Sequence, residues 1–211
     1  MIDAVLRAEG LVVRYPDERG LLGGVRRWRT AVRGVDFELP RGGTLALVGE
    51  SGSGKSSIGR AILGLQPNAT GALHFRPRDG QEVELLGLPA AGWKAVRRRA
   101  ALVFQDSGSA LDPRMRVWRS VAEPLEVHGL ARGAELRRRV DSLLERVGIE
   151  AAAGDRFPEQ FSGGQRQRIG IARALATEPE LVVCDEVVSA LDVLVQQQIL
   201  DTCASCRRSA A

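Results

Sequence analysis

The sequence contains few aromatic residues and no long apolar run. Aromatic residues make up 4% of the 211 positions and include a single tyrosine. No apolar run approaches the ~18 residues that a membrane-spanning helix needs. The N-terminal stretch MIDAVLRAEG also lacks the charged-then-apolar order of a signal peptide. These absences predict a chain made in the cytosol, with any membrane contact at the inner face.

Lysine is also scarce, because Lys55 and Lys94 are the two lysines of the chain and arginine supplies almost all of its net charge of +4. A basic balance can indicate binding to nucleic acid or anionic lipid. The arginine runs at 97–99 and 137–139, however, lie among helix-forming and acidic residues. We therefore expect these runs to form solvated helix faces, and we expect no nucleic-acid partner.

Three cysteines are an odd number and do not indicate a disulfide framework. Cys184 lies in an apolar stretch and is expected in the core. Cys203 and Cys206, in the final stretch DTCASCRRSAA, could form a redox pair or half of a zinc site. Neither explanation fits well, because the sequence has no second Cys or His pair to complete a zinc site and the motif does not lie between a strand and a helix start. A third explanation is a shifted reading frame: codons can be chosen so that a shift of one base turns TCASCRR into Leu-Arg-Glu-Leu-Gln-Ala. Residues 202–211 would then be an aberrant tail.

Hydrophobic residues at 44% and charged residues at 27% are ordinary for a folded protein. The first third is rich in β patterns, with strands predicted at 10–15 and 35–39 and an exposed loop at 16–30 between them. Thr44–Val48 is an almost wholly apolar segment, and we predict a strand buried on both faces of a parallel sheet. Glycines follow directly, and then comes an amphipathic helix.

That helix carries Ile58, Ala61, Ile62 and Leu65 at helical spacing. From residue 106 to about 159 the pattern is helical, with one apolar stripe closed by a glycine, and Leu181–Asp185 is predicted to return the chain to the sheet. The stripe consists of Leu136, Val140, Leu143, Leu144 and Val147, with Gly148 after it. The predicted fold class is α/β, with a helical insert in the core.

The stretch GESGSGKS fits the pattern G-x-x-x-x-G-K-[ST] and lies between a predicted strand and a predicted helix. The glycines let backbone N–H groups converge on a phosphate at a helix N-terminus, where the helix dipole favours negative charge. Lys55 would reach the β- and γ-phosphates, and Ser56 would hold Mg²⁺. The predicted phosphate-binding residues are Gly49, Glu50, Ser51, Gly52, Ser53, Gly54, Lys55, Ser56 and Ser57.

Two carboxylates follow the apolar stretch LVVC. Asp185, at the end of the predicted strand, can hold Mg²⁺, and Glu186 can act as the general base that activates water. Adjacent residues at a strand end point to different sides, so one can serve the metal while the other faces the water. An Asp-Glu pair after a strand is by itself usually a polar strand end, so the catalytic interpretation of Asp185 and Glu186 depends on the phosphate-loop pattern upstream.

The stretch FSGGQRQRIGIARAL places Ser162 at a helix N-cap position, followed by two glycines, which predicts a second anion-binding helix start. With this stretch the sequence resembles the ATP-binding cassette (ABC) ATPases, whose signature is Leu-Ser-Gly-Gly-Gln. Here Phe161 replaces the leucine, and Ser162, Gly163, Gly164 and Gln165 are intact. The resemblance covers about residues 9–200.

The resemblance implies roles for further residues. Tyr15 stands where such proteins stack an aromatic ring on adenine. Gln105 matches the glutamine that senses the γ-phosphate and contributes to the metal site. Asp192, in the stretch SALD, matches the loop that crosses the dimer interface. In this family two cassettes enclose two ATP molecules, with each phosphate loop facing the signature helix of the partner.

The loop RGLLGGVRRWRTAVRGVDF resembles the insertion in the second of the two non-identical cassettes of bacterial dipeptide and oligopeptide importers. Other stretches resemble the ATP-binding subunits of these importers in general. They include GESGSGKSS, VFQDSGSALDPRMRV and AEPLEVHGL. This resemblance implies a peripheral ATPase at the cytoplasmic face of a bacterial membrane. Its cofactors would be ATP and Mg²⁺. Its partners would be a second cassette, integral membrane permease subunits and, indirectly, an extracytoplasmic substrate-binding protein.

The resemblance implies a nucleotide-binding core at 1–105, with an N-terminal antiparallel β portion and the phosphate loop. A helical subdomain with the signature follows at 106–165, and 166–211 is an incomplete return to the core that lacks the C-terminal strands. A full cassette continues with further strands and a histidine at the γ-phosphate, and neither His74 nor His128 lies in the matching position. The expected function is an ATPase subunit that powers a peptide-type importer. The alternatives are a truncated fragment that binds ATP poorly or without turnover, and a soluble ABC protein acting on nucleic acid or ribosomes.

Overall fold

The computed structural model describes residues 3–19, 25–103 and 111–185, and these form two compact units, Met1–Arg97 and Arg98–Ala211. The sequence-based expectation placed the boundary at 105/106. The strands are β1 (Ala4–Arg19), β2 (Val25–Pro40), β3 (Ala69–Phe75), β4 (Val83–Glu84), β5 (Ala100–Val103) and β6 (Leu181–Cys184). The helices are α1 (Lys55–Ile62), α2 (Ala90–Arg99), α3 (Val117–Val127), α4 (Gly133–Arg146) and α5 (Gly163–Leu175), with 3₁₀ turns at Ala151–Asp155 and Pro158–Gln160.

The first unit is built on a four-stranded antiparallel sheet in the order β2-β1-β3-β4. β1 and β2 form a long hairpin whose paired residues run from Ala4↔Pro40 to Arg19↔Val25. The predicted strands at 10–15 and 35–39 are confirmed within these longer strands. The predicted loop at 16–30 is wrong over most of its length, because the hairpin pairing continues through Pro16↔Trp28.

Proline in a strand explains part of that error. Pro16 suggests a loop because it cannot donate a ladder hydrogen bond. In the structure the β1–β3 pairing ends at Val13↔Ala69, so beyond Val13 the strand β1 pairs with β2 alone. A strand with one neighbour accommodates proline, since it needs donors on one side only.

Alternate residues of the sheet and one face of α1 form the core of the first unit. Leu11, Val13 and Leu73 are fully buried, and Ile58 and Ile62 of α1 are at most 8% exposed. α1 contacts β1 and β2, as its predicted apolar face requires. Leu65 of that predicted face lies beyond the end of the helix and is 47% exposed.

The predicted strand at Thr44–Val48 is wrong. The segment has no regular secondary structure, and Leu45, Leu47 and Val48 are 43%, 40% and 94% exposed. A strand forms when a neighbouring strand supplies its hydrogen bonds. Among the described residues, no strand pairs with this segment. The apolar composition of this segment therefore predicted a buried strand, but no strand among the described residues pairs with it.

The second unit packs α3, α4 and α5 around one apolar core beside the parallel pair β5–β6. The predicted stripe of α4 is confirmed, since Val140 and Leu144 are fully buried. Gly148 follows the helix with a φ of 71°, in the left-handed region expected of a residue just past a helix end. Leu181 is buried in β6, but Cys184 is exposed, so its predicted place in the core is wrong.

Among the described ranges, no helix is both long and apolar enough to cross a membrane.

Arg137 joins α4 to the 3₁₀ turn that follows it. Its guanidinium donates to both carboxylate oxygens of Asp155, each at 3.1 Å, and to Asp141 at 3.0 Å, and it lies 5.4 Å from the ring centroid of Trp118. The hydrogen bond from Arg137 lowers the pKa of the Asp155 carboxyl. The same hydrogen bond raises the pKa of Arg137, against a smaller desolvation effect.

A lowered folded-state pKa means that ionised Asp155 stabilises the fold above its unfolded pKa of about 3.9, and that this contribution is lost as pH falls through the folded value. We therefore expect Asp155→Asn to lower the urea midpoint of the second unit at pH 7, and the difference from wild type to shrink in acid below pH ~4. Glu150→Gln, at an exposed position in the same region, is the control. A difference that persisted unchanged in acid would contradict the role of the ion pair.

Candidate nucleotide-binding site

The loop from Gly49 to Gly54 bends sharply before α1 begins at Lys55. Gly52 and Gly54 have φ values of 81° and 101°, in the left-handed region that favours glycine. At Gly54 the loop also approaches β2 closely, since a Cβ there would lie 2.6 Å from the carbonyl oxygen of Ala31. Glycine at this position thus sets both the bend of the loop and its distance from the sheet.

Lys55 folds back over the loop. Its ammonium donates to the carbonyl oxygens of Gly49 at 2.8 Å and Glu50 at 2.7 Å, and it lies 3.4 Å from Ser53 Oγ. The first turn of α1 contains no acidic residue. One full charge and the positive end of a helix dipole therefore meet at the same place, which is the arrangement that binds a phosphate.

Tyr15 of β1 lies beside the start of α1. Its hydroxyl donates a hydrogen bond to Ser57 Oγ at 3.1 Å, and the side chain is half-buried. The structure thus brings the predicted adenine-contacting residue and the predicted phosphate loop together within the first unit. The link between Tyr15 and Ser57 was not foreseen, because the two residues lie 42 positions apart and no local pattern pairs them.

Ser56 and Asp185 are the described members of the predicted metal site. Hydroxyl and carboxylate oxygens are the hard donors that Mg²⁺ accepts, and Mg²⁺ in nucleotide sites uses one or two carboxylates together with substrate phosphates and water. Ser56 belongs to the first unit and Asp185 to the second, and each supplies a donor type that Mg²⁺ accepts. Ser56 lies in the first turn of α1, and Asp185 directly follows β6, where its backbone N–H donates to Val103 at 3.0 Å. Within the described ranges, no group of three or more His, Cys, Asp or Glu residues could hold a metal ion.

Three predicted residues, Gln105, Glu186 and Asp192, lie outside the described part of the chain, as do Cys203 and Cys206. The catalytic assignments to Gln105 and Glu186 therefore remain predictions.

The predicted signature stretch begins α5 in the second unit. Ser162 is the N-cap, with its hydroxyl accepting from the backbone N–H of Gln165 at 3.3 Å, and Gln165 Oε1 accepts from the N–H of Ser162 at 2.9 Å. This reciprocal pair is a capping box. Gly163 and Gly164 are exposed, and a Cβ at either would meet nothing within 4 Å. Hydrogen bonds within the helix start therefore fix its conformation, while Gly163 and Gly164 remain exposed.

Arginines of α5 anchor the same helix to its surroundings, a feature that the sequence analysis missed. Arg168 donates to the carbonyl oxygens of Val147 and Gly148, at 3.1 and 3.2 Å, at the end of α4. Arg173 donates to Glu123 of α3 at 2.7 Å. Phe161, which replaces the usual leucine of the signature, is 5% exposed and belongs to the apolar core. The substitution is accommodated by burial of the larger ring.

Comparison with known proteins identifies the family of the chain. A family model described as ABC transporter matches residues 32–189. The chain belongs to the ABC transporter family. It is 48% identical, over 94% of its length and 31% of the relative, to the glutathione import ATP-binding protein GsiA of Pectobacterium atrosepticum. It is 53% identical, over 81% of its length and 50% of the relative, to a Brucella abortus ATP-binding protein named for peptide import.

Solved ABC structures share the fold. The dimeric ATP-binding cassette MJ0796, in a post-hydrolysis state with ADP and Pi, has a TM-score of 0.79 and 26% identity over 97% of this chain and 84% of that one. The Clostridium perfringens protein cbiO1 has a TM-score of 0.73 and 27% identity over 98% and 75% of the two chains. These matches confirm the predicted ABC ATPase fold. The chain spans about a third of the length of the glutathione-import relatives that it matches and half of the Brucella relative.

The capping box at the start of α5 yields a direct test. Ser162→Ala removes the acceptor for the N–H of Gln165 and should destabilise the second unit by about 1 kcal/mol in urea unfolding. Ser142→Ala, at an exposed position inside α4, should be neutral or slightly stabilising because alanine is the better helix former. Equal effects at the two serines would show that the cap contributes nothing.

Proposed function

We propose that this chain is the ATP-binding and ATP-hydrolysing subunit that powers a membrane importer of the peptide type. The observation that carries the proposal is the loop at 49–54, with the Lys55 ammonium held on its carbonyl oxygens at the start of α1. The family match and the relatives named for glutathione and peptide import support the transport role.

In this proposal the chain's own residues bind and orient the nucleotide. Backbone N–H groups at the start of α1 and the ammonium of Lys55 neutralise the phosphates, and Tyr15 contacts the adenine ring. Ser56, Asp185 and Gln105 would hold Mg²⁺, which would supply charge stabilisation to the bound phosphates. Glu186 accepts a proton from the attacking water, and Gln105 responds to the γ-phosphate.

The proposed working unit is a dimer of cassettes. Ser162, Gly163, Gly164 and Gln165 present an open helix N-terminus, and in the dimer they would cover the phosphate loop of the partner cassette. Asp192 would lie at the dimer interface. Closure around ATP and reopening after hydrolysis would then move permease subunits at the cytoplasmic face of a bacterial membrane.

A second candidate is a chain that binds ATP poorly or without turnover when isolated. One observation favours this candidate. The segment Thr44–Val48 leads into the nucleotide loop, yet it is exposed and has no strand partner among the described residues. The two candidates differ in whether the isolated chain hydrolyses the ATP that it binds.

The lysine content of the chain provides a clean binding test. Lys55→Ala removes a charge-assisted contact to phosphate and should weaken ATP binding about 10- to 100-fold in equilibrium dialysis. Lys94→Ala is the matched control, because Lys94 is the other lysine of the chain and lies exposed in α2. Equal affinities for the two variants would refute the assignment of the loop.

Turnover is tested separately at Glu186. We expect Glu186→Gln to lower ATP hydrolysis by about 100-fold or more while ATP still binds, because amide nitrogen and oxygen cannot accept the proton from water. Phosphate release and light scattering would be measured together, and the variant should accumulate as an ATP-bound dimer. Glu145→Gln, at an exposed position on α4, should hydrolyse ATP at the wild-type rate. If wild type binds ATP but releases no phosphate, the second candidate is correct.

A further inference from the structure

We infer that Gln66, which lies in none of the nucleotide-binding motifs, is a positioning residue that holds Tyr15 in place for contact with the nucleotide base. The inference rests on the proposed ATP site. It concerns a hydrogen bond between the side chain of Gln66 and the strand that carries Tyr15, outside the phosphate loop.

The strand needs such support at this point. The pairing of β1 with β3 ends at Val13↔Ala69, and the register with β2 shifts between Val13 and Arg14. Arg14 therefore begins the part of β1 that has lost one of its two strand neighbours. A backbone carbonyl that leaves a ladder must find another donor or water.

Residues just before β3 supply the missing partners. The N–H of Arg14 donates to the carbonyl oxygen of Asn68 at 3.0 Å, and Gln66 Nε2 donates to the carbonyl oxygen of Arg14 at 2.9 Å. The N–H and the carbonyl group of Arg14 are thus both hydrogen-bonded, directly before Tyr15. The first of these bonds is between backbone atoms, but the second depends on the identity of residue 66.

The same segment fixes Tyr15 relative to the phosphate loop. Gln66 follows α1, while Ser57, in the first turn of α1, accepts the hydrogen bond of the Tyr15 hydroxyl at 3.1 Å. The ring is thus tied to the beginning of α1, and its backbone to the segment after the end of α1. In this inference, the Tyr15–Ser57 and Gln66–Arg14 hydrogen bonds set the distance between a base contacted by Tyr15 and the phosphates bound at Lys55.

This role predicts a loss confined to ligands that carry a base. Gln66→Met keeps the length of the side chain but removes its donor, and should weaken ATP binding about three- to tenfold. Binding of inorganic tripolyphosphate, which has phosphates and no base, should not change. Gln66→Glu, an isosteric variant without the amide donor, should behave like Gln66→Met, and Gln81→Met at an exposed position is the control.

A spectroscopic readout follows from the composition, because Tyr15 is the single tyrosine of the chain. Protein labelled with 3-fluorotyrosine should give one fluorine resonance that moves when ATP is added and stays in place with tripolyphosphate. In Gln66→Met the resonance should be displaced without nucleotide, and its response to ATP should be smaller than in wild type.

The outcomes separate this inference from the proposed function. Equal weakening of ATP and tripolyphosphate would mean that Gln66 supports the whole loop, and no weakening of either would mean that it supports nothing; each result overturns the inference and leaves the ATP site standing. If wild type bound neither ligand and matched Lys55→Ala, the proposed function would fail and the inference with it.

Discussion

The first unit depends on the close approach of Gly54 to the carbonyl group of Ala31. Any side chain at residue 54 would lie 2.6 Å from that oxygen, and the φ of 101° strains every residue except glycine. This contact seats the start of α1 on the β1–β2 hairpin. The ammonium of Lys55, the helix dipole and the hydroxyl bond between Tyr15 and Ser57 all take their positions from it.

In the second unit, the start of α5 is held by a different kind of contact. The N-terminus of α5 is held by the capping box between Ser162 and Gln165. The body of the helix is held by the carbonyl contacts of Arg168 and by the ion pair of Arg173 with Glu123. In the first unit, by contrast, backbone proximity at a glycine fixes the helix. Both arrangements hold the backbone N–H groups of a helix N-terminus at a rigid position, which is the feature that an anion requires.

Local patterns predicted these two helix starts better than they predicted the sheet. The glycines, Lys55 and the Ser162 cap are short-range features whose geometry is set within a few residues, so the sequence alone indicated them. Strand pairing is a long-range property, and the wrong predictions arose from it. Pro16 lies in a strand because β1 has a single strand neighbour there. Thr44–Val48 is not a strand because no described strand pairs with it. Gln66 was missed for the same reason, since its partner Arg14 is 52 positions away.

The contacts that hold the nucleotide loop and its surroundings lie mainly on the α1 side of the loop. On the α1 side, Gly54 meets β2, Ser57 binds Tyr15, and Gln66 holds the backbone of β1. On the other side, the stem at 44–48 has exposed apolar side chains and no strand partner among the described residues. The position of the base-contacting residue relative to α1 is therefore defined by side-chain bonds, while Gly49 and Glu50 are held chiefly by the ammonium of Lys55. Because a phosphate would compete for that same ammonium, nucleotide binding and the conformation of the loop stem should be coupled in this protein.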